Sequence, residues 1–206
     1  MLRDLALSDL LAAFSSPDPT PGGGSASALS SAIGASLLMM VASLPKTRNG
    51  STDDRAALAA AADALAAIRE RLTAAIDQDT AAYDGVVAAY KLPKRTPDEQ
   101  AARKAAIQRA LRAATDAPLL VMRQSAGALE QAAVVAAHGY TSAASDVGVA
   151  IAMLKAGAAG AKLNVDVNLE AIGDANYRGA VGAEARDLMG QAAAIAQRAE
   201  DLLRVG

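Results

Sequence analysis

Four groups of residues in this 206-residue chain have the types and spacing to do chemistry. The first is the turn PTPGGGS from Pro19 to Ser25, where Gly22, Gly23 and Gly24 free the backbone to turn and Ser25 is placed to cap a helix. Unpaired N–H groups at such a helix start, backed by the positive end of the helix dipole, suit an anion or a developing negative charge. The alternative is a tight turn that lets the backbone pass close to another helix, since neither the Lys nor the Ser/Thr of a phosphate-binding loop follows at the right distance.

The second group is Asp79 with Tyr83, four residues apart and therefore on one helical face, while Asp77 points elsewhere. An inward carboxylate in that alanine-rich stretch needs a partner or a job; an exposed charge is the plainer reading. With it belongs a second candidate carboxylate, Asp146 next to Ser145, which lies in a run with no other charge until Lys155 and so is a paired core group or a site group. Asn164 and Asn168 form the third group, two amides on one face that can each donate and accept. The fourth is a cluster of cations, Lys91, Lys94, Arg95, Arg103 and Lys104, around one corner that could hold an anionic tail. Solvated helix ends explain most of these cations equally well.

The elements that must carry these groups are helices. Ser8 can cap a first helix whose Leu7, Leu10, Leu11 and Phe14 share a face, ending before Pro17. A second runs from Ser25 with no charge until Lys46. That is a membrane span or a buried centre, and its serines (Ser25, Ser27, Ser30, Ser31, Ser36, Ser43) argue for burial in protein, because lipid leaves hydroxyls unsatisfied. A long third helix, capped by Thr52 or Asp53, reaches about Lys91 on a stripe of Leu58, Leu65, Ile68, Leu72 and Ile76. Thr96, Pro97 and Glu99 spell a capping box with proline at the first helical position. Pro118 then divides the run into helices of about Pro97 to Asp116 and Pro118 to Ala137, closed by His138 and Gly139 as helix-end residues. A further helix opens with small residues after Gly139. Asp174 and Asn176 mark the boundary before the last one, which runs to about Leu203.

Composition fits this reading. Alanine supplies 55 residues and Trp none, so helices pack closely through small side chains, and the expected fold is all-α: a single domain over residues 1–206, a bundle of about seven helices. Alanine buries little area, so a helical subunit interface is expected to complete the core, in a homodimer or a dimer of dimers. The absence of cysteine removes disulfides, thiolate metal sites and a cysteine nucleophile, and one histidine cannot build a histidine metal cluster, so no metal is expected. A formal net charge of -2 gives no general attraction to nucleic acid or membrane, and the N-terminus lacks a signal-peptide pattern; the expectation is a cytoplasmic protein.

Six stretches then matter together: PTPGGGSASAL (Pro19 to Leu29), MVASL (Met40 to Leu44), DQDTAAYDGVVAAYKLPKRT (Asp77 to Thr96), RKAAIQRALRAAT (Arg103 to Thr115), SDVGVA (Ser145 to Ala150) and NVDVNL (Asn164 to Leu169). In this order the chain resembles the formiminotransferase-cyclodeaminase C-terminal domain family, which includes stand-alone bacterial methenyltetrahydrofolate cyclohydrolases. The resemblance implies an all-helical, dimer-forming fold and one-carbon chemistry on tetrahydrofolate, with no cofactor beyond the folate substrate. Cyclohydrolase members hydrolyse the 5,10-methenyl bridge to 10-formyltetrahydrofolate; cyclodeaminase members expel ammonia from the 5-formimino form. Pro45 stands where the family tends to have Thr, and Tyr140, Thr141 and Ser142 where it has Asn, both expected at the pocket rim.

On that resemblance Asp79 or Asp146 is the base, Lys94 a proton donor or electrostatic partner, and Asn164 and Asn168 hold the pterin edge. Tyr83, Ser145 and Arg103 join the substrate contacts, and Gly22, Gly23, Gly24 and Ser25 receive a glutamyl carboxylate or a polarised oxygen. Asp146, near a helix start, would be held ionised by backbone donors, which favours proton transfer at Asp79 and cation stabilisation or pterin binding at Asp146. Two other functions remain open: the cyclodeaminase, which needs a formimino-transferring partner, and a non-catalytic folate-binding or interaction dimer.

Overall fold

The computed structural model describes residues 1–204, and among them the order is a 3-10 turn (Leu2–Asp4), α1 (Leu7–Phe14), α2 (Gly23–Ala42), α3 (Thr52–Tyr90), α4 (Pro97–His138), a 3-10 turn (Thr141–Ala143), α5 (Ala144–Glu170) and α6 (Ala175–Arg204). The fold is all-α, with six α-helices rather than seven. The difference is Pro118, which lies buried inside a continuous α4 instead of ending a helix. Helix α2 is the centre, packed on α3 and α5, while α4 packs on α3, α5 and α6.

Small side chains set the closeness of the centre. A side chain on Gly157 of α5 would collide with Ser31 and the Ser27 carbonyl of α2, so only glycine permits this crossing. The serines of α2 are satisfied by protein: Ser30 Oγ donates to Met153 O at 2.8 Å, and Ser31 Oγ meets Ser125 Oγ at 2.7 Å. Because the single Ser125 hydroxyl proton goes to Val121 O, Ser31 is the donor of that pair. Helices α2 and the one ending at Glu170 have the length and hydropathy to cross a membrane. Their mutual packing and bonded hydroxyls account for that apolar character within the bundle. Larger side chains supply most of the burial energy, with Leu38, Leu58, Leu65, Leu72, Leu129 and Leu154 fully buried, each contributing about 1.5–3 kcal/mol.

Helix starts follow local chemistry with some displacement. Thr96 and Glu99 make the expected capping box, and Asp174 Oδ1 accepts from the N–H groups of Asn176 and Tyr177 at the start of α6. Helix α3 is capped by Ser51, one residue before the expected Thr52 or Asp53. Helix α1 has no side-chain cap, since Ser8 lies inside it, and of its expected apolar face only Leu10 is buried; Leu7 and Leu11 are exposed. Asp54 ties the α2–α3 loop to the end of α4, accepting from Asn49 N at 2.8 Å and meeting His138 Nδ1 at 2.8 Å. Pro45 and Tyr140 belong to this end of the bundle. The twenty residues of α2 separate it from the Gly22 turn by about 30 Å, so within one chain neither is at a pocket rim with Asp79.

Candidate active site

Helix α2 starts on the glycines. Gly22 is its N-cap residue, Gly23 and Gly24 are its first helical residues, and Ser25 therefore lies inside the first turn rather than capping it. The cap comes instead from α3: Asp79 Oδ2 accepts the Ser25 N–H at 3.0 Å. The anion that this helix start was expected to attract is thus the protein's own carboxylate. Gly24 makes the approach possible, because a side chain there would occupy the position of the Asp79 carboxylate.

Ser25 Oγ has one proton and two acceptors, Ile76 O at 2.8 Å and Asp79 Oδ2 at 3.2 Å. The shorter contact takes most of that proton, and Asp79 is left with one firm donor. Burial raises its pKa from the ordinary aspartate value, and the Ser25 N–H and hydroxyl offset this only in part.

Asp79 opens on a cavity of about 350 Å³ lined by Gly22, Gly23 and Tyr83, by Asn164 and Asn168 of α5, and by Leu111 and Ala114 of α4. Asn164 Nδ2 donates to Gly160 O at 2.9 Å, one turn back in its own helix, and Asn168 Nδ2 donates across to Ala114 O at 2.7 Å. Carbonyls only accept, so the nitrogen end of each amide is committed, and each Oδ1 has no protein donor among the described residues. Two acceptor oxygens, a carboxylate of raised proton affinity and a tyrosine rim therefore face one space, suited to a ligand with a donor-rich edge and a proton to lose.

The structure thus brings together Asp79, Tyr83, Asn164, Asn168, Gly22, Gly23 and, behind them, Gly24 and Ser25. It does not bring in the rest. Lys94 and Arg103 line a separate cavity of about 410 Å³ with Gln100, Lys104, Ile107 and Gln108, where Arg103 donates to Tyr90 O at 2.9 Å. Ser145 and Asp146 occupy the first turn of α5, about 27 Å along the axis from Asn164. Sequence reasoning missed Thr20, Val86, Leu111 and Ala114. Val86 was reachable by continuing the Asp79–Tyr83 face, whereas Leu111 and Ala114 come from a helix whose register against α3 and α5 no local pattern reveals.

The family model for formiminotransferase-cyclodeaminase matches residues 6–187. The chain belongs to this family. Over 198 residues, 96% of this chain and 95% of the relative, it is 36% identical to the methenyltetrahydrofolate cyclohydrolase of Methylorubrum extorquens. It is 31% identical to the formimidoyltransferase-cyclodeaminase of Sus scrofa over 84% of this chain but 32% of that larger protein. Among solved structures, the formiminotetrahydrofolate cyclodeaminase of Thermotoga maritima superposes with a TM-score of 0.88 at 25% identity, covering 100% of this chain and 98% of that one. The formiminotransferase-cyclodeaminase fold therefore spans the whole described chain, and the cavity at Asp79 lies at the meeting of its α2, α3, α4 and α5.

Proposed function

We propose that this protein is a methenyltetrahydrofolate cyclohydrolase, converting 5,10-methenyltetrahydrofolate to 10-formyltetrahydrofolate. The observation that carries the reading is Asp79, an under-satisfied carboxylate with raised proton affinity on a cavity whose other polar side chains include two amides with free oxygens. The identity of 36% to a cyclohydrolase, against 31% and 25% to the two cyclodeaminases, supports it over the cyclodeaminase.

The methenyl bridge is an amidinium-like cation, already electrophilic. Water adds to the bridge carbon as its proton passes to Asp79, giving a neutral hydroxy adduct. The bond from that carbon to N5 then breaks with its electron pair going to N5, which takes the proton from Asp79. The hydroxyl proton leaves to solvent and the formyl group stays on N10. Asn164 and Asn168 accept from the donor edge of the pterin, and Tyr83 covers it. No cofactor beyond the folate and no metal is required. Lys94 and Arg103 act on the glutamyl tail rather than on the proton: Arg103, Ile107, Leu111 and Ala114 recur along one face of α4, joining the cation corner to the main cavity.

The active form is a homodimer, or a dimer of dimers, in the cytoplasm, with no nucleic-acid or membrane partner. Ile33 and Met40 of α2 and Val149, Leu163 and Val167 of α5 are exposed, a face of two central helices that a second copy would cover. A two-fold axis across α5 pairs it antiparallel with its copy and sets Ser145 and Asp146 of one chain toward Asn164 and Asn168 of the other. Asp146 then stabilises the substrate cation from across the interface.

Loss of methenyl absorbance above the buffer rate tests the activity; ammonia release from formiminotetrahydrofolate without it would install the cyclodeaminase. For the shared site, Asp79→Asn and Asp146→Asn chains are dissociated, mixed and reassociated. A shared site restores about a quarter of wild-type activity, from the one intact site in each mixed dimer. No recovery removes Asp146 from the site.

A further inference from the structure

Helix α4 keeps its helical path through Pro118, at a buried position in its middle. Proline has no N–H, so the hydrogen bond that residue 118 would give to the carbonyl four residues back, that of Ala114, is missing. The carbonyl is not bare. Asn168 of α5 donates Nδ2 to it at 2.7 Å, and both Ala114 and Asn168 line the cavity that holds Asp79.

Asn164 offers the contrast, since its amide is anchored one turn back in its own helix, on Gly160 O, and needs nothing from a neighbour. Gly160 O shares itself between that amide and its own helix, whereas the carbonyl under Asn168 receives no N–H from residue 118 and is left undivided for the side chain. We propose that Pro118 is a positioning residue for folate: by withholding an N–H it leaves the Ala114 carbonyl undivided, so that it holds the Asn168 amide more firmly than a shared carbonyl does and fixes its Oδ1 toward the donor edge of the pterin. This rests on the folate reading for the identity of the ligand, but the hydrogen-bond relay itself does not.

Pro118→Ala supplies the missing N–H, which must then share Ala114 O with Asn168 and weaken its hold. The expected result is an unchanged or higher Tm, because the helix gains a bond, together with a KM for methenyltetrahydrofolate raised about three- to tenfold, the worth of one hydrogen bond. Asn168→Ala should raise KM similarly, and adding Pro118→Ala to it should raise KM no further. A purely structural proline would shift Tm and leave KM alone, which overturns the proposal.

A second measurement uses the unliganded protein. The Asn168 side-chain amide, identified in an NMR spectrum by its disappearance in Asn168→Ala, should exchange with solvent more slowly than a free amide, and its protection should fall about tenfold in Pro118→Ala. An Asn168 amide that exchanges freely in the wild-type protein overturns the proposal whether or not the variant folds. Protection that depends on Pro118 in a protein without cyclohydrolase activity would keep the relay and remove folate as its ligand.

Discussion

Two aspartates of the same helix, Asp54 and Asp79, are each held by backbone and side-chain donors from outside their own turn, and they come out opposite. Asp54 is 2% exposed and fully engaged: His138 on one oxygen, Asn49 N and the Thr47 hydroxyl on the other. These contacts, His138 first, hold its pKa well below the usual carboxylate range. Asp79 has one firm donor and half a claim on a hydroxyl, and burial pushes its pKa up. A carboxylate with every lone pair satisfied is a fastener. One left short of donors beside a cavity has a proton affinity that chemistry can use.

The largest effects should separate the two. Asp79→Asn should lower kcat by roughly two to four orders of magnitude with little change in KM, the loss expected for a general base, and should keep its Tm at neutral pH. The folded-state pKa of Asp79 is raised, so its charge costs stability once pH rises through that value, and removing the charge does not harm the fold. Asp54→Asn should do the reverse, lowering Tm by several degrees while kcat of the folded fraction stays near wild type. With its folded pKa depressed, Asp54 contributes stability above the unfolded carboxylate pKa that is lost as pH falls toward its folded value. Thermal melts from pH 3 to 8 with kcat on each variant check both. A wild-type kcat in Asp79→Asn would end the assignment.

The legible part of this molecule was whatever follows from spacing within one helix. Asp79 with Tyr83, and Asn164 with Asn168, were found because residues four apart share a face, and both pairs line the cavity. The capping box at Thr96 was equally local. What failed depended on a second helix. Ser25 looked like a cap because only its own helix was in view, whereas its hydroxyl is spent on Ile76 O and Asp79 of α3. Pro118 looked like a break because propensity speaks for an isolated segment, and burial of α4 against three helices overrides it. Asp146 was paired with Asp79 by chemistry alone, and the length of α5 keeps them apart within one chain.

A smaller effect sharpens the comparison from the other side of the contact. Gly24→Ala inserts a methyl where the Asp79 carboxylate lies, so the carboxylate must leave the Ser25 N–H. A displacement of that size costs about tenfold to a hundredfold in kcat. Gly85→Ala is the control on α3, with nothing near the new methyl; it should gain up to about 1 kcal/mol of stability from helix propensity and leave kcat alone. Equal loss of folding and activity in Gly24→Ala would make that glycine a packing residue and nothing more.

The smallest effect concerns the cation corner, lined by Arg103 and Ile107 of α4, with Arg103 about 12 Å along the helix axis from Leu111 of the main cavity. Lys94 there is exposed, and exposed charge pairs are worth about 0.2–1 kcal/mol each, so Lys94→Ala should raise KM no more than about fivefold. The informative quantity is how that factor depends on the substrate's own charge. A triglutamate tail carries more carboxylates to this corner than a monoglutamate, so Lys94→Ala should raise KM more for the triglutamate, and added salt should shrink the difference. Arg103→Ala should follow the same order with a lower Tm besides, because its guanidinium also holds the Tyr90 carbonyl at the end of α3. If both variants lose the same factor on mono- and triglutamate substrates, the corner is an ordinary solvated helix junction and the tail leaves the cavity by another path.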